Sequence, residues 1–192
     1  MHRYNPGLRE LDDAIGGIEG GTNVMLIGPP MCGKRALLNS IMAGGLRSGE
    51  TVVLADTRVP GRDALERPKP PEGALIGVDE PGPADAGHVR LCIDSLSTIL
   101  MYSKLTTVFR FMHVIAGQVA MHRNLGVYIV DENMHDPHTI ATLKQLFNAV
   151  LQAKGESDRT FLRAIGFTPR PRPCFEYEVI DHSAVTRRPA DD

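Results

Sequence analysis

Val24-Met-Leu-Ile-Gly28-Pro-Pro-Met-Cys-Gly33-Lys34-Arg35 carries the reading of this chain: an apolar run enters a Gly-x-x-x-x-Gly-Lys segment. That spacing is the Walker A pattern, G-x-x-x-x-G-K-[ST]. The chemistry needs glycines because successive backbone N–H groups must curl around phosphate oxygens. The helix that follows points the positive end of its dipole at them, and the lysine adds a full charge. Val24 to Ile27 predict a buried strand, and Ala36, Leu37, Leu38, Ile41 and Met42 share one broad helical face that ends at Gly44-Gly45. Strand, loop and helix in this order predict a bound nucleotide, ATP or ADP, held by Gly28, Pro29, Pro30, Met31, Cys32, Gly33, Lys34, Arg35 and Ala36.

The position after the lysine should carry a hydroxyl that ligates Mg²⁺. Here it is Arg35, which has five donors and no lone pair to offer a metal. Two destinations are open to its guanidinium: a place beside the β-phosphate, or the solvent. In both cases magnesium should be weakly held, by phosphate oxygens, water and one acid further along the chain.

The 192 residues suit one domain, expected over residues 1–181, with a disordered tail over 182–192. A formal net charge of −2 provides no global basic field to draw the chain to nucleic acid or an anionic membrane. Cys32, Cys92 and Cys174 lie far apart and form no disulfide framework, so a reducing cytoplasm is expected. Met1-His-Arg-Tyr-Asn-Pro lacks the apolar core of a signal peptide, and no stretch approaches a membrane span in length.

Ahead of the loop, Gly7-Leu-Arg-Glu-Leu11-Asp12-Asp-Ala-Ile15-Gly16-Gly17-Ile18-Glu-Gly20-Gly21-Thr22 is a short helical turn between glycine-rich bends. This opening resembles that of RecA-like ATPases of the KaiC and archaeal RadA type, in which a Leu-Asp piece and a Gly-Gly-Ile piece precede the loop at this distance. Thr51 to Asp56 predicts a second buried strand. In KaiC-like proteins this strand ends in an acidic residue, often a Glu-Glu pair, that activates the attacking water. Thr57-Arg58 stand at that place here. Asp56 is then the one candidate general base, one place early and with a shorter side chain, and capping of a strand end is its competing role. His88 to Asp94 predicts an apolar strand ending in a carboxylate, and Ile93-Asp94-Ser95-Leu96 resembles the Walker B segment of KaiC-like proteins. The resemblance implies that Asp94 holds magnesium indirectly, through water beside the phosphates.

Further along, the interval 60–87 is rich in Pro, Gly and charge and reads as a long connection with one small strand near Ala74 to Val78. Thr106 to Arg123 predicts a helix and Val127 to Val130 a core strand ending at Asp131-Glu132. By its place in RecA-like folds Asp131 is a γ-phosphate sensor, yet an acid facing phosphate is awkward, and a surface turn is the simpler reading. His135-Asp-Pro-His138 reads as a polar loop before a helix over His138 to Leu151, rather than as a metal site. Thr160 to Ile165 and Phe175 to Ile180 predict antiparallel strands flanking Pro169-Arg-Pro-Arg-Pro173. In related hexamers basic residues at the place of Arg170 and Arg172 reach a neighbour's γ-phosphate; a solvated loop is the alternative.

The alternation of strands and helices gives an α/β class: a RecA-like P-loop domain with a mainly parallel central sheet, helices on both faces and antiparallel C-terminal strands. The resemblance implies a KaiC-like regulatory or assembly protein that binds ATP or ADP with weak or absent hydrolysis, self-associates and serves an unidentified protein partner. Its rivals are an active ATPase driving a partner and a recombination mediator on single-stranded DNA. The first lacks its Ser/Thr and Glu, and the second lacks recognisable DNA-binding loops.

Overall fold

The structure is a computed structural model and describes residues 2–57, 75–76, 87–156, 159–167 and 174–187. In chain order its elements are β1 (Arg3–Tyr4), α1 (Arg9–Ile15), β2 (Ile18–Glu19), β3 (Asn23–Gly28), α2 (Lys34–Arg47), β4 (Thr51–Asp56), β5 (Leu75–Ile76) and β6 (Val89–Asp94). There follow α3 (Leu96–Tyr102), α4 (Leu105–Met121), β7 (Leu125–Asp131), α5 (Pro137–Lys144), β8 (Ala149–Glu156), β9 (Arg159–Ile165), β10 (Phe175–Ile180) and β11 (Ser183–Arg187). Among the described residues the central sheet has nine strands in the order β11-β10-β9-β8-β3-β7-β6-β4-β5. From β8 to β5 every neighbour is parallel, and β9, β10 and β11 continue the sheet antiparallel.

Every residue of β3 is buried. Successive side chains of a strand leave on opposite faces, so both faces of β3 must be covered. Val24 and Leu26 join one core with Leu37, Leu38 and Ile41 of α2 and with Leu11 and Ile15 of α1. Met25 and Ile27 join the other with Leu96 of α3, Val108 and Met112 of α4, and Ile140 and Leu143 of α5. The α/β class with helices on both faces is therefore the observed one.

Three local expectations are corrected. The helix expected over His138 to Leu151 stops at Lys144, and β8 begins at Ala149. A helical period does run through Phe147 and Val150, but Ala149, Leu151 and Ala153 are buried at period two, and β8 pairs with β3 from Val24↔Ala149 to Ile27↔Gln152. The helix α2 does not end at Gly44-Gly45 but runs through both to Arg47. These glycines are there for close approach: a Cβ on Gly44 would lie 2.9 Å from the Gly7 Cα, and one on Gly45 2.8 Å from the Arg90 Nε. The tail expected to be disordered from 182 contains β11. Asp181 and His182, both with positive φ (46° and 65°), make the two-residue turn that pairs Ile180 with Ser183. Ser40 Oγ on α2 then donates to the Ala184 carbonyl at 3.0 Å and accepts from its N–H at 2.8 Å, clamping the hairpin to the core.

A buried ion pair lies beneath this face. Arg90 in β6 is fully buried; its Nε and Nη2 donate to the two oxygens of Glu50 at 2.8 and 3.0 Å, and Nη1 donates to the Ile41 carbonyl. The Tyr4 ring lies against the guanidinium at 5.7 Å.

Candidate functional site

The loop between β3 and α2 has the shape that its glycines suggest. Met31 and Gly33 take left-handed φ values of 63° and 80°, and Gly33 caps a fourteen-residue helix that begins with Lys34. Successive amides turned this way form a concave nest that favours an anion, and the helix dipole adds to it. Met31 projects fully into solvent, whereas Cys32 is buried. The outer wall comes from β10: Tyr177 donates its hydroxyl to the Cys32 carbonyl, and a Cβ at Gly33 would come within 2.9 Å of the Val179 Cγ2. A phosphate chain therefore fits the residues present.

Lys34 is buried and turned inward. Its Nζ donates to the Gly28 carbonyl at 2.9 Å and to the Pro29 carbonyl, and it meets Asp131 Oδ1 at 2.8 Å. Topology makes the last contact. β7 is the strand next to β3, and Gly28 is in register with Asp131, so the acid at the end of β7 faces the loop's lysine. The simpler reading of Asp131 as a surface turn is thus corrected. Its own N–H donates to Ser97 Oγ at 2.8 Å, which fixes the strand end from α3.

Beyond β7, β6 and β4 end together, with Asp94 in register with Asp56. Arg35 Nη1 reaches both carboxylates, Asp56 Oδ2 at 2.8 Å and Asp94 Oδ2 in a short charge-assisted contact. The sequence left phosphate or solvent open for Arg35, and the structure adds a third set of partners, the two acids. One oxygen of Asp94, Oδ2, is thus engaged by the side chain that stands where a magnesium-ligating hydroxyl is expected. Asp56, the candidate base, has a side chain 6% exposed and accepts from Arg35. Thr57 donates from its hydroxyl to the Ser95 carbonyl at 2.9 Å and accepts from the Ser95 N–H at 3.0 Å. Arg58, Arg170, Arg172 and nearly all of the Pro-rich interval lie outside the described residues.

Solved structures similar to this chain over nearly its whole length include two of archaeal origin. One is a KaiC-like protein from the hyperthermophilic archaeon Pyrococcus horikoshii OT3, at a TM-score of 0.75 and 16% identity over 97% of this chain and 99% of that one. The fold is RecA-like. The other is the flagellar accessory protein FlaH of Methanocaldococcus jannaschii, at a TM-score of 0.68 and 12% identity over 93% of this chain and 95% of that one. Residues 72–153 match a family of unknown function, DUF7504. No curated protein sequence matches the chain. Among the described residues no helix is long and apolar enough to cross a membrane.

Burial pushes the Asp94 carboxyl up from 3.8 to about 6, against the lowering effect of Arg35 and with a further upward contribution from Asp56. The folded protein therefore holds this proton more tightly than the unfolded chain does. Stability from this group is highest at low pH and is lost as pH rises from about 4 through about 6. Asp94→Asn keeps the shape without the charge. It is expected to raise the melting temperature by a few degrees at pH 8 and by much less at pH 4.5, read by calorimetry. Equal shifts at both pH values would remove the buried charge from this account.

Proposed function

We propose that this chain is a nucleotide-binding regulatory or assembly protein of RecA-like fold, binding ATP or ADP through the Gly28–Ala36 loop and hydrolysing it little or not at all. The observation that carries the reading is Arg35, whose guanidinium joins Asp56 to Asp94 where a nucleotide-hydrolysing site of this fold keeps its metal and its base. The loop residues hold the phosphate chain and Lys34 supplies the side-chain charge. Arg35 supplies a permanent positive charge to the two acids, so binding needs no divalent ion. The loss of a positioned base removes a contribution that is typically about 10²–10⁴-fold in rate. The bound state, rather than turnover, is then what a partner reads. Self-association belongs to the same proposal; light scattering that finds only monomer at high concentration, with and without nucleotide, counts against it.

Isothermal titration with ATP and ADP, with and without Mg²⁺, tests the reading. The parent is expected to bind with an affinity that changes little on adding the metal, and to release phosphate negligibly. Arg35→Thr, which restores the hydroxyl and frees the acids, is expected to make binding magnesium-dependent. Combined with Arg58→Glu it should raise hydrolysis. A parent that already turns over ATP at an ordinary P-loop rate, abolished by Asp94→Asn, would overturn the proposal and make Asp56 the base.

A further inference from the structure

Asp131 is placed to choose between nucleotides. The Lys34 ammonium has three N–H donors, and three oxygen acceptors lie within reach: the Gly28 carbonyl, the Pro29 carbonyl and the Asp131 carboxylate. Two of these belong to the loop itself. The third comes from β7, which lies between the loop's strand β3 and the strand β6 that carries Asp94. In P-loop sites the backbone cradles the inner phosphates and the lysine reaches outward to the last one, which lies toward the acid of the Walker B strand. A third phosphate here has to pass over the end of β7. The carboxylate standing there accepts hydrogen bonds only, as phosphate oxygens do, so the two cannot bond and they repel.

Arg35, the other cation described at this site, does not relieve this. Its guanidinium is committed to Asp56 and Asp94. A diphosphate ends within the amide nest and the reach of the helix dipole, while a triphosphate must set its extra charge against Asp131. Lys34 holds the carboxylate toward the loop at 2.8 Å, on a strand end anchored by the bond from the Asp131 N–H to Ser97 Oγ. We infer that Asp131 makes this site selective for nucleoside diphosphate over triphosphate. The inference rests on the nucleotide-binding reading above and adds to it the class of ligand.

The test is isothermal titration of the full chain and of Asp131→Asn with ADP and with ATP, without magnesium. Asn keeps the shape and one acceptor for Lys34, so the variant should fold; a melting curve run beside it checks this, and Asp131→Ser serves where Asn does not fold. The parent is expected to bind ADP at least about tenfold more tightly than ATP. The variant is expected to bring the ratio close to one, mainly by gaining affinity for ATP. Pyrophosphate and tripolyphosphate as competitors should show the same pair of ratios, which places the discrimination on the phosphate chain. A parent that binds ATP as tightly as ADP, or a variant in which both affinities move together, overturns the selectivity while leaving nucleotide binding in place. Absence of binding of either nucleotide to either protein overturns the nucleotide-binding reading, and this inference with it.

Discussion

Lys34→Ala is expected to reduce nucleotide affinity by about 10²-fold or more, to the point where titration detects no binding. Each hydrogen bond from a charged donor contributes about 1.5–3 kcal/mol, and the ammonium supplies more than one to a phosphate chain. The structure adds a second loss. Removing the ammonium leaves Asp131 without the cation that meets it at 2.8 Å, so the loop then faces an uncompensated carboxylate on the side where phosphate must enter. The double variant Lys34→Ala with Asp131→Asn should therefore recover part of the affinity, although the loop still lacks its side-chain charge. The Gly28 and Pro29 carbonyls also lose the donor that ties them together, so a melting curve is needed beside each titration. Equal affinity in Lys34→Ala and parent would remove the loop from any account of this protein's function.

The largest effect on folding is expected from Arg90→Ala. Glu50 is buried and accepts two bonds from the guanidinium, against which the Tyr4 ring packs. Breaking a buried pair by removing one partner typically costs about 3–5 kcal/mol, because a charge remains in a medium that cannot solvate it. For a chain of this size that is about 10 °C or more in melting temperature. Replacing both partners with apolar residues, Arg90→Met with Glu50→Leu, should cost far less than either single change, since no orphan charge is left. A double-mutant cycle by denaturant unfolding reads the coupling directly. Additive single effects would show that the pair is incidental to the fold.

What the sequence made legible was local. The run Val24 to Ile27, the loop spacing and the acid ending the strand at Asp94 each signal themselves within a dozen residues, and each lies where expected. Contacts that depend on strand order were not legible. Nothing in the spacing of Arg35, Asp56 and Asp94 says that β4 and β6 are neighbours in register, which is what delivers both acids to one guanidinium. Asp131 looked like a turn because its partner stands at the start of α2, 97 positions back in the chain. Arg90, in the middle of an apolar strand, gave no hint of the Glu50 that neutralises it. At β8 two periodicities overlapped, and pairing with β3, a tertiary choice, decided between them. At β11 the turn signal was weak, because Asp181-His182 is an unusual pair for two successive positive φ values.

Tyr177 joins the loop to the far edge of the sheet. Its hydroxyl holds the Cys32 carbonyl, Val179 abuts Gly33, and Ser40 of the loop's own helix grips Ala184 on the outermost strand. These three attachments make a lever with its pivot at the loop. The Cys32 carbonyl and the β10 tyrosine therefore share one bond, so neither can turn without breaking it or taking the other along. The hairpin's exposed arm carries Val179, Ile180 and Val185. A change confined to a few amides at one strand end thus becomes a displacement of apolar surface at the rim, where another molecule can feel it.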